Sequence, residues 1–250
     1  MTVYRYRTIF TFIHLLYQFR LVFAEHNRLH NPFGMSELPI YIPDEALTEI
    51  PDNAIYPDEY TGHFESLMIS RSEILAAIET MADKLHQDYA GIRPVFVCVL
   101  KGANPFCQHL LEALQTRKHG YTVEFLRASS YHGTESTGKV HLTGGLSLPN
   151  LQGKHVIILE DIVDTGTTLS HILPEIRSQV QLKSLEVCSL LVKRLAQPPK
   201  VDAKYVCFSI PNHFIIGYGL DFNELYRDLR DIWVISKFGI EFDASTFDEK

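Results

Sequence analysis

The chain has 250 residues, 46% of them hydrophobic and 21% charged, and carries a formal net charge of −7. That length buries a full hydrophobic core in one domain, and that composition excludes a disordered or fibrous chain. The negative balance gives no electrostatic ground for binding nucleic acid or an anionic membrane, although a small anion needs only local amides and a few cations.

The first 34 residues differ from the rest. Arg5, Arg7, Arg20 and Arg28 face a single acid, Glu25, so this stretch is +3 and the remainder −10. The apolar run at 8–23 is broken by His14, Gln18 and Arg20, which makes it short and interrupted for a membrane span. No small-residue cleavage site of the usual kind follows it. Met35-Ser36-Glu37 reads as a natural start. Residues 1–34 are therefore expected to be a dispensable extension rather than a targeting segment, with residues 35–250 forming a single domain.

From residue 70 onward, helix and strand signals alternate. Ser72 is expected to cap a helix whose Ile74, Leu75, Ile78, Met81 and Leu85 share one face. Residues 94–100 (PVFVCVL) form a nearly unbroken apolar run, suited to a strand covered on both faces. Asn104-Pro105 then supplies an N-cap and a first-position proline for a helix through about Thr116. Strands are expected at 121–128, 155–159 (HVIIL), 185–192, 205–210 and 231–236, with a helix from about Thr167 to Gln179. The four cysteines form no CxxC pair, and Cys98, Cys188 and Cys207 sit in apolar runs, which suits reduced core thiols in a cytoplasmic protein. The alternation predicts an α/β fold, a mainly parallel twisted sheet flanked by helices. In such sheets ligands bind at the carboxyl ends of the strands.

At the carboxyl end of HVIIL the chain reads Glu160-Asp161-Ile162-Val163-Asp164-Thr165-Gly166-Thr167-Thr168. A short Thr/Gly turn running into a helix start can aim backbone N–H groups and hydroxyls at one phosphate. The glycine-lysine pair of a triphosphate loop is missing. Adjacent carboxylates at Glu160 and Asp161 suit the vicinal hydroxyls of a ribose, since each accepts hydrogen bonds. The duller alternative is an acidic strand end that merely caps the next helix.

This stretch resembles the motif by which type I phosphoribosyltransferases bind the activated ribose diphosphate PRPP, and the resemblance extends over most of residues 60–236. Accessory motifs point to the hypoxanthine and hypoxanthine-guanine branch, with a leaning to its bacterial type. The resemblance implies a small hood built from terminal segments beside the sheet. It implies that Thr165, Gly166, Thr167 and Thr168, with Asp164, hold the 5′-phosphate. Leu100-Lys101-Gly102 is similar to the pyrophosphate loop, in which Lys101 and the Gly102 amide meet the diphosphate and the peptide entering the lysine is often cis. Ser129-Ser130-Tyr131, running on to Gly138, is similar to the mobile loop that closes over the reacting centre, with Ser130 and Tyr131 at its heart.

The segment at 190–194 (LLVKR) matches the strand whose lysine, here Lys193, contacts the purine O6. In the segment at 210–228 (IPNHFIIGYGLDFNELYRD), Phe214 is implied to stack on the purine and Ile215 to offer backbone contacts. There Asp221 helps hold Mg²⁺ beside the base, together with Glu160 and Asp161, and Arg227 reaches pyrophosphate. Asp164 is the implied general base or acceptor at N7. Each has a plainer competitor: a solvated strand-end lysine at Lys193, a core aromatic at Phe214, a turn residue at Asp221, a surface arginine at Arg227. Thr167 stands where many relatives carry lysine, His213 replaces a more common lysine, and Ala103-Asn104-Pro105 is unusual after the pyrophosphate loop.

The activity implied is Mg²⁺-dependent purine salvage, transferring phosphoribosyl from PRPP to N9 of hypoxanthine and guanine. A homodimer or homotetramer is implied as well. A xanthine- or pyrimidine-specific transferase and an RNA-binding nucleotide sensor on the same fold are the alternatives; the negative charge and complete catalytic set count against the sensor.

Overall fold

The computed structural model describes residues 37–45, 48–128, 142–143 and 146–242. The extension at 1–34 and the loop residues Ser130 and Tyr131 lie outside the described residues.

In chain order the described elements are β1 (Ile40–Tyr41), β2 (Phe64–Ile69), α1 (Arg71–Asp88), β3 (Val95–Leu100), α2 (Asn104–Thr116), β4 (Thr122–Ala128) and β5 (Leu142–Thr143). They continue through α3 (Leu148–Leu151), β6 (His155–Val163), α4 (Thr167–Gln179), β7 (Ser184–Lys193), β8 (Tyr205–Ile210), β9 (Ile215–Ile216), β10 (Ile232–Ile235) and α5 (Lys237–Glu241). Seven strands form the main sheet in the order β1-β8-β7-β6-β3-β4-β5. Every pairing is parallel except β4 with the two-residue β5.

The apolar runs are strands because both faces of the sheet are covered. Along β3 and β6, Phe96, Cys98, Ile157 and Leu159 pack in one cluster with Ile74, Ile78 and Met81 of α1 and with Phe106 and Leu110 of α2. The alternate residues Val95, Val97, Val156 and Ile158 pack with Leu169, Ile172 and Ile176 of α4. Side chains alternate across a strand, so one continuous apolar run feeds both cores. Each such side chain contributes about 1.5–3 kcal/mol on full burial. All four cysteines are free and buried in this core.

A second, antiparallel sheet of order β2-β10-β9 makes the hood. Its own core stacks Phe64 on Trp233, with ring centroids 4.8 Å apart, beside Tyr60 and Tyr226. Among the described residues no helix is long and apolar enough to cross a membrane.

Several boundaries differ from the sequence expectation. Ser70, not Ser72, caps α1: its hydroxyl accepts from the Glu73 N–H while the Glu73 carboxylate accepts from the Ser70 N–H at 2.9 Å, a reciprocal box. Ala103 precedes α2, so Asn104 is its first residue and Pro105 its second. Strand β6 does not stop at Leu159. It continues through the acids to Val163 because β7 offers a matching ladder, pairing Glu160 with Ser189 and Val163 with Val192.

Candidate active site

The extra length of β6 decides where the acids point. Glu160 faces inward and is buried, with its Oε2 lacking a hydrogen-bond partner in the protein. Burial pushes its carboxyl well above the usual range, and the neighbouring Asp161 adds to this. Asp161 is half-buried. Burial pushes it up to about 6, against the opposing pull of the Ile162 N–H, which donates to Oδ1 at 2.7 Å, and of Arg227. Two poorly solvated carboxylates side by side form a strong acceptor for hydroxyl hydrogens or a cation.

After β6 the chain turns through Asp164, Thr165 and Gly166 into α4. Gly166 adopts φ +71° as the N-cap, and a Cβ there would sit 3.0 Å from the Val201 amide nitrogen and 3.1 Å from that of Lys200. Lys200 N–H donates to the Thr165 carbonyl at 2.9 Å, locking the turn. No side chain caps α4, so its leading N–H groups and the hydroxyls of Thr165 and Thr167, 3.0 Å apart, offer a ready anion site. Thr168 reaches the neighbouring cleft.

Beside this turn, Lys193 at the end of β7 donates to Asp164 Oδ2 at 3.1 Å. The Lys193 side chain is only 11% exposed, which rules out a solvated strand-end lysine, while Asp164 is 46% exposed and keeps an oxygen edge open. The ends of adjacent parallel strands thus present one donor and one acceptor in contact.

The third part is the junction of the Lys101 loop with the segment after β9. The Leu100–Lys101 peptide is cis. A Cβ on Gly102 would overlap Asp161 Oδ2, and a Cβ on Gly219 would overlap the Gly102 carbonyl oxygen. Only bare backbone lets these three strands of chain approach so closely. Left-handed φ values crowd the same segment at Tyr218, Asn223, Glu224 and Tyr226, a density of strain that marks functional loops.

Its side chains form one ionic network. Lys101 Nζ lies 2.7 Å from Glu224 Oε2; Arg227 lies 2.8 Å from Asp221 Oδ1 and also donates to the Gly219 carbonyl at 2.8 Å. Lys101 and Arg227 hold the Glu224 carboxyl below its usual range. Asp221 also accepts from the Glu224 N–H at 2.9 Å, so it is a turn residue and a cleft residue at once. Arg227 is no ordinary surface arginine, because its Nε is buried without a partner. Lys101, Gly102, Glu160, Asp161, Thr168, Asp221 and Arg227 all line a single cleft of about 440 Å³.

The hood contributes Phe214 and Ile215. Phe214 is 50% exposed and meets Phe222 edge-on at 5.4 Å, so one aromatic face is open rather than in the core. Ile215 is buried in β9, paired with Val234.

A family model described as a phosphoribosyl transferase domain matches residues 69–223. The chain belongs to the phosphoribosyltransferase family. It is 38% identical over 189 residues to the human hypoxanthine-guanine phosphoribosyltransferase, covering 73% of this chain and 86% of that one. It is also 38% identical over 192 residues to human phosphoribosyltransferase domain-containing protein 1, covering 74% and 85%. A Staphylococcus aureus hypoxanthine phosphoribosyltransferase structure superposes with a TM-score of 0.66 at 32% identity, covering 76% of this chain and all of that one. The chain is thus an enzyme of the hypoxanthine-guanine type, and animal and bacterial relatives both match it well.

Arg127 and Glu224 also line this cleft of the phosphoribosyltransferase, and neither was given a role from the sequence. Arg127 stands one residue before the end of β4 and carried no motif; only its place near the strand end signals it. Glu224 lay inside a motif already read but had no assigned task.

Glu160, Asp161 and Asp221 wall the same cleft, and among the described residues no three histidine, cysteine or acidic side chains converge as a metal cage. Mg²⁺ typically takes one or two carboxylates and completes its shell with substrate phosphates and water. The unsatisfied Glu160 oxygen and the raised Asp161 fit an ion that arrives with its substrate.

Proposed function

We propose that the enzyme transfers the 5-phosphoribosyl group of PRPP to N9 of hypoxanthine, and of guanine, in purine salvage, releasing pyrophosphate. The observation that carries this is the Lys193–Asp164 pair. A 6-oxopurine in its N7–H form presents O6 as acceptor beside N7–H as donor. Lys193 as donor and Asp164 as acceptor complement that edge, whereas the amino group of a 6-aminopurine would face the ammonium. Phe214 stacks on the base, an aromatic face over a flat heterocycle, and the backbone of Ile215 meets its edge.

The ribose diol hydrogen-bonds to Glu160 and Asp161, and the 5′-phosphate sits on the N–H groups and hydroxyls of Thr165 to Thr168, Gly166 supplying the turn. Lys101, the Gly102 amide and Arg227 hold the diphosphate and stabilise the charge it gains as it leaves. Asp221, with Glu160 and Asp161, would hold Mg²⁺, which would supply Lewis-acid neutralisation of that leaving group. The C1–oxygen bond to pyrophosphate breaks ahead of the new C1–N9 bond. As N9 donates its electron pair, the N7 proton passes to Asp164, a transfer that typically contributes ~10²–10⁴-fold. Ser130 and Tyr131, outside the described residues, are given the task of excluding water from the reacting centre.

Catalysis belongs to residues 35–250, with no role for 1–34. Buried, unpaired cysteines support a reducing, cytoplasmic setting. A homodimer or homotetramer is the proposed assembly. The test is nucleotide titration: IMP and GMP bind, AMP binds at least tenfold more weakly, and Lys193→Met closes that gap. Equal binding of IMP and AMP to the parent protein would refute the base assignment.

A further inference from the structure

The two cations that the proposed function gives to pyrophosphate are both engaged by one carboxylate. Glu224 Oε2 lies 2.7 Å from Lys101 Nζ and 3.5 Å from Arg227 Nη2. No other acid meets Lys101 among the salt bridges of the described residues. The Glu224 side chain is 64% exposed, so little besides these cations restrains it. Its backbone is another matter. Glu224 has φ +67° and follows Asn223 at φ +51°, and its N–H is fixed on Asp221 Oδ2 at 2.9 Å. Left-handed backbone is unfavourable for such residues unless its surroundings hold it. A tethered backbone therefore delivers a movable carboxylate to the cations.

A carboxylate oxygen and a phosphate oxygen make the same charge-assisted hydrogen bonds to ammonium and guanidinium groups. Both cannot occupy the same donor positions. Diphosphate oxygens reaching Lys101 and Arg227 must displace Glu224 or suffer its repulsion.

We propose that Glu224 is an internal competitor for the pyrophosphate site, holding Lys101 and Arg227 while the site is free of diphosphate and re-engaging them as product leaves. The inference rests on the assignment of Lys101 and Arg227 to the diphosphate. Apparent affinity falls by the fraction of molecules in which the site is open. Exposed ion pairs shift such equilibria by roughly 1.5- to 5-fold each, so two contacts amount to roughly 2- to 25-fold.

The experiment is calorimetric titration of inorganic pyrophosphate, at fixed Mg²⁺, into the full chain and its Glu224→Gln, Glu224→Ala and Lys101→Ala variants, each checked by thermal melting. Both Glu224 variants are expected to bind pyrophosphate roughly 2- to 25-fold tighter and to lower the KM for PRPP. Lys101→Ala is expected to bind it more weakly. Unchanged or weaker binding by both Glu224 variants, with Lys101→Ala also weakened, would overturn the competitor and leave the pyrophosphate assignment standing. If Lys101→Ala binds as the parent does, that assignment fails and the competitor falls with it.

Discussion

Gly102→Ala is the sharpest structural test of the site. Gly102 does not need a left-handed backbone; it is glycine because Asp161 occupies the space a side chain would take. The added Cβ would overlap Asp161 Oδ2 and lie 2.7 Å from its Cγ. That is about 1 Å inside the roughly 3.5–4.0 Å optimum for carbon contacts, so either the carboxylate or the Lys101 loop must retreat. Neither moves freely: Asp161 Oδ1 is bonded to the Ile162 N–H, and the Gly102 carbonyl is pressed by Gly219.

Overpacking of this kind costs roughly 1–3 kcal/mol, and a displacement of about 1 Å costs on the order of 10²-fold in rate. We expect a folded protein with a lower Tm and turnover reduced by at least that factor. Gly153→Ala is the control, because it also lies in a tight turn, at φ +68°, but nothing stands within 4 Å of its Cβ. It should lose some stability and no activity. A Gly102→Ala enzyme with normal turnover would show that Asp161 does not wall the reacting site.

Three further outcomes follow from the same geometry. Asp164→Asn should reduce turnover by ~10²–10⁴-fold while changing the Kd for PRPP by less than about threefold, since backbone amides dominate the phosphate turn; unchanged turnover in stopped-assay kinetics would discard the proton-acceptor role. Asp161 has a folded pKa of about 6, above its unfolded value, so its contribution is fully present below about pH 4 and is lost as pH rises through 6. Relative to Asp161→Asn, the parent should therefore lose at most roughly 2–3 kcal/mol across that window in urea melts, and a pH-independent difference would refute the burial argument. Phe214→Ala should raise the KM for hypoxanthine roughly 5- to 100-fold, the range expected for losing one aromatic stack, with little change in Tm because the ring is half exposed; an unaltered KM would remove Phe214 from the base site.

Much of this was legible before the fold was known, and the parts that were not have a common cause. Strands β3, β6, β7 and β8 announce themselves because burial on both faces demands unbroken apolar runs, and α4 matches its expected span from Thr167 to Gln179. Strand β6 overran its apolar signal because the ladder with β7, not hydropathy, carries it past Leu159. The hood strands β2 and β9 carry weak local patterns, and β9 has two residues; they exist only because β10 pairs with both. The Ser70 cap was missed by two positions because two serines compete there, and Glu73 stands three residues after only one of them.

Site residues divide in the same way. Those in contiguous motifs were readable from spacing: Glu160, Asp161 and Asp164 to Thr168. Lys101 and Glu224 meet across 123 positions of sequence, and the link exists only once Gly219 packs on Gly102. Lys193 and Asp164 were each assigned a partner on the base, but not each other, because their 3.1 Å contact is made by the register of two parallel strands.

The most direct measurement is pyrophosphate release from PRPP and Mg²⁺ by the full chain, with hypoxanthine, guanine, xanthine, adenine and uracil supplied separately. The donor–acceptor pair at Lys193 and Asp164 requires release with hypoxanthine and guanine, and none with adenine or uracil. Release confined to adenine or uracil, or silence with every base from protein shown to be folded, would contradict it.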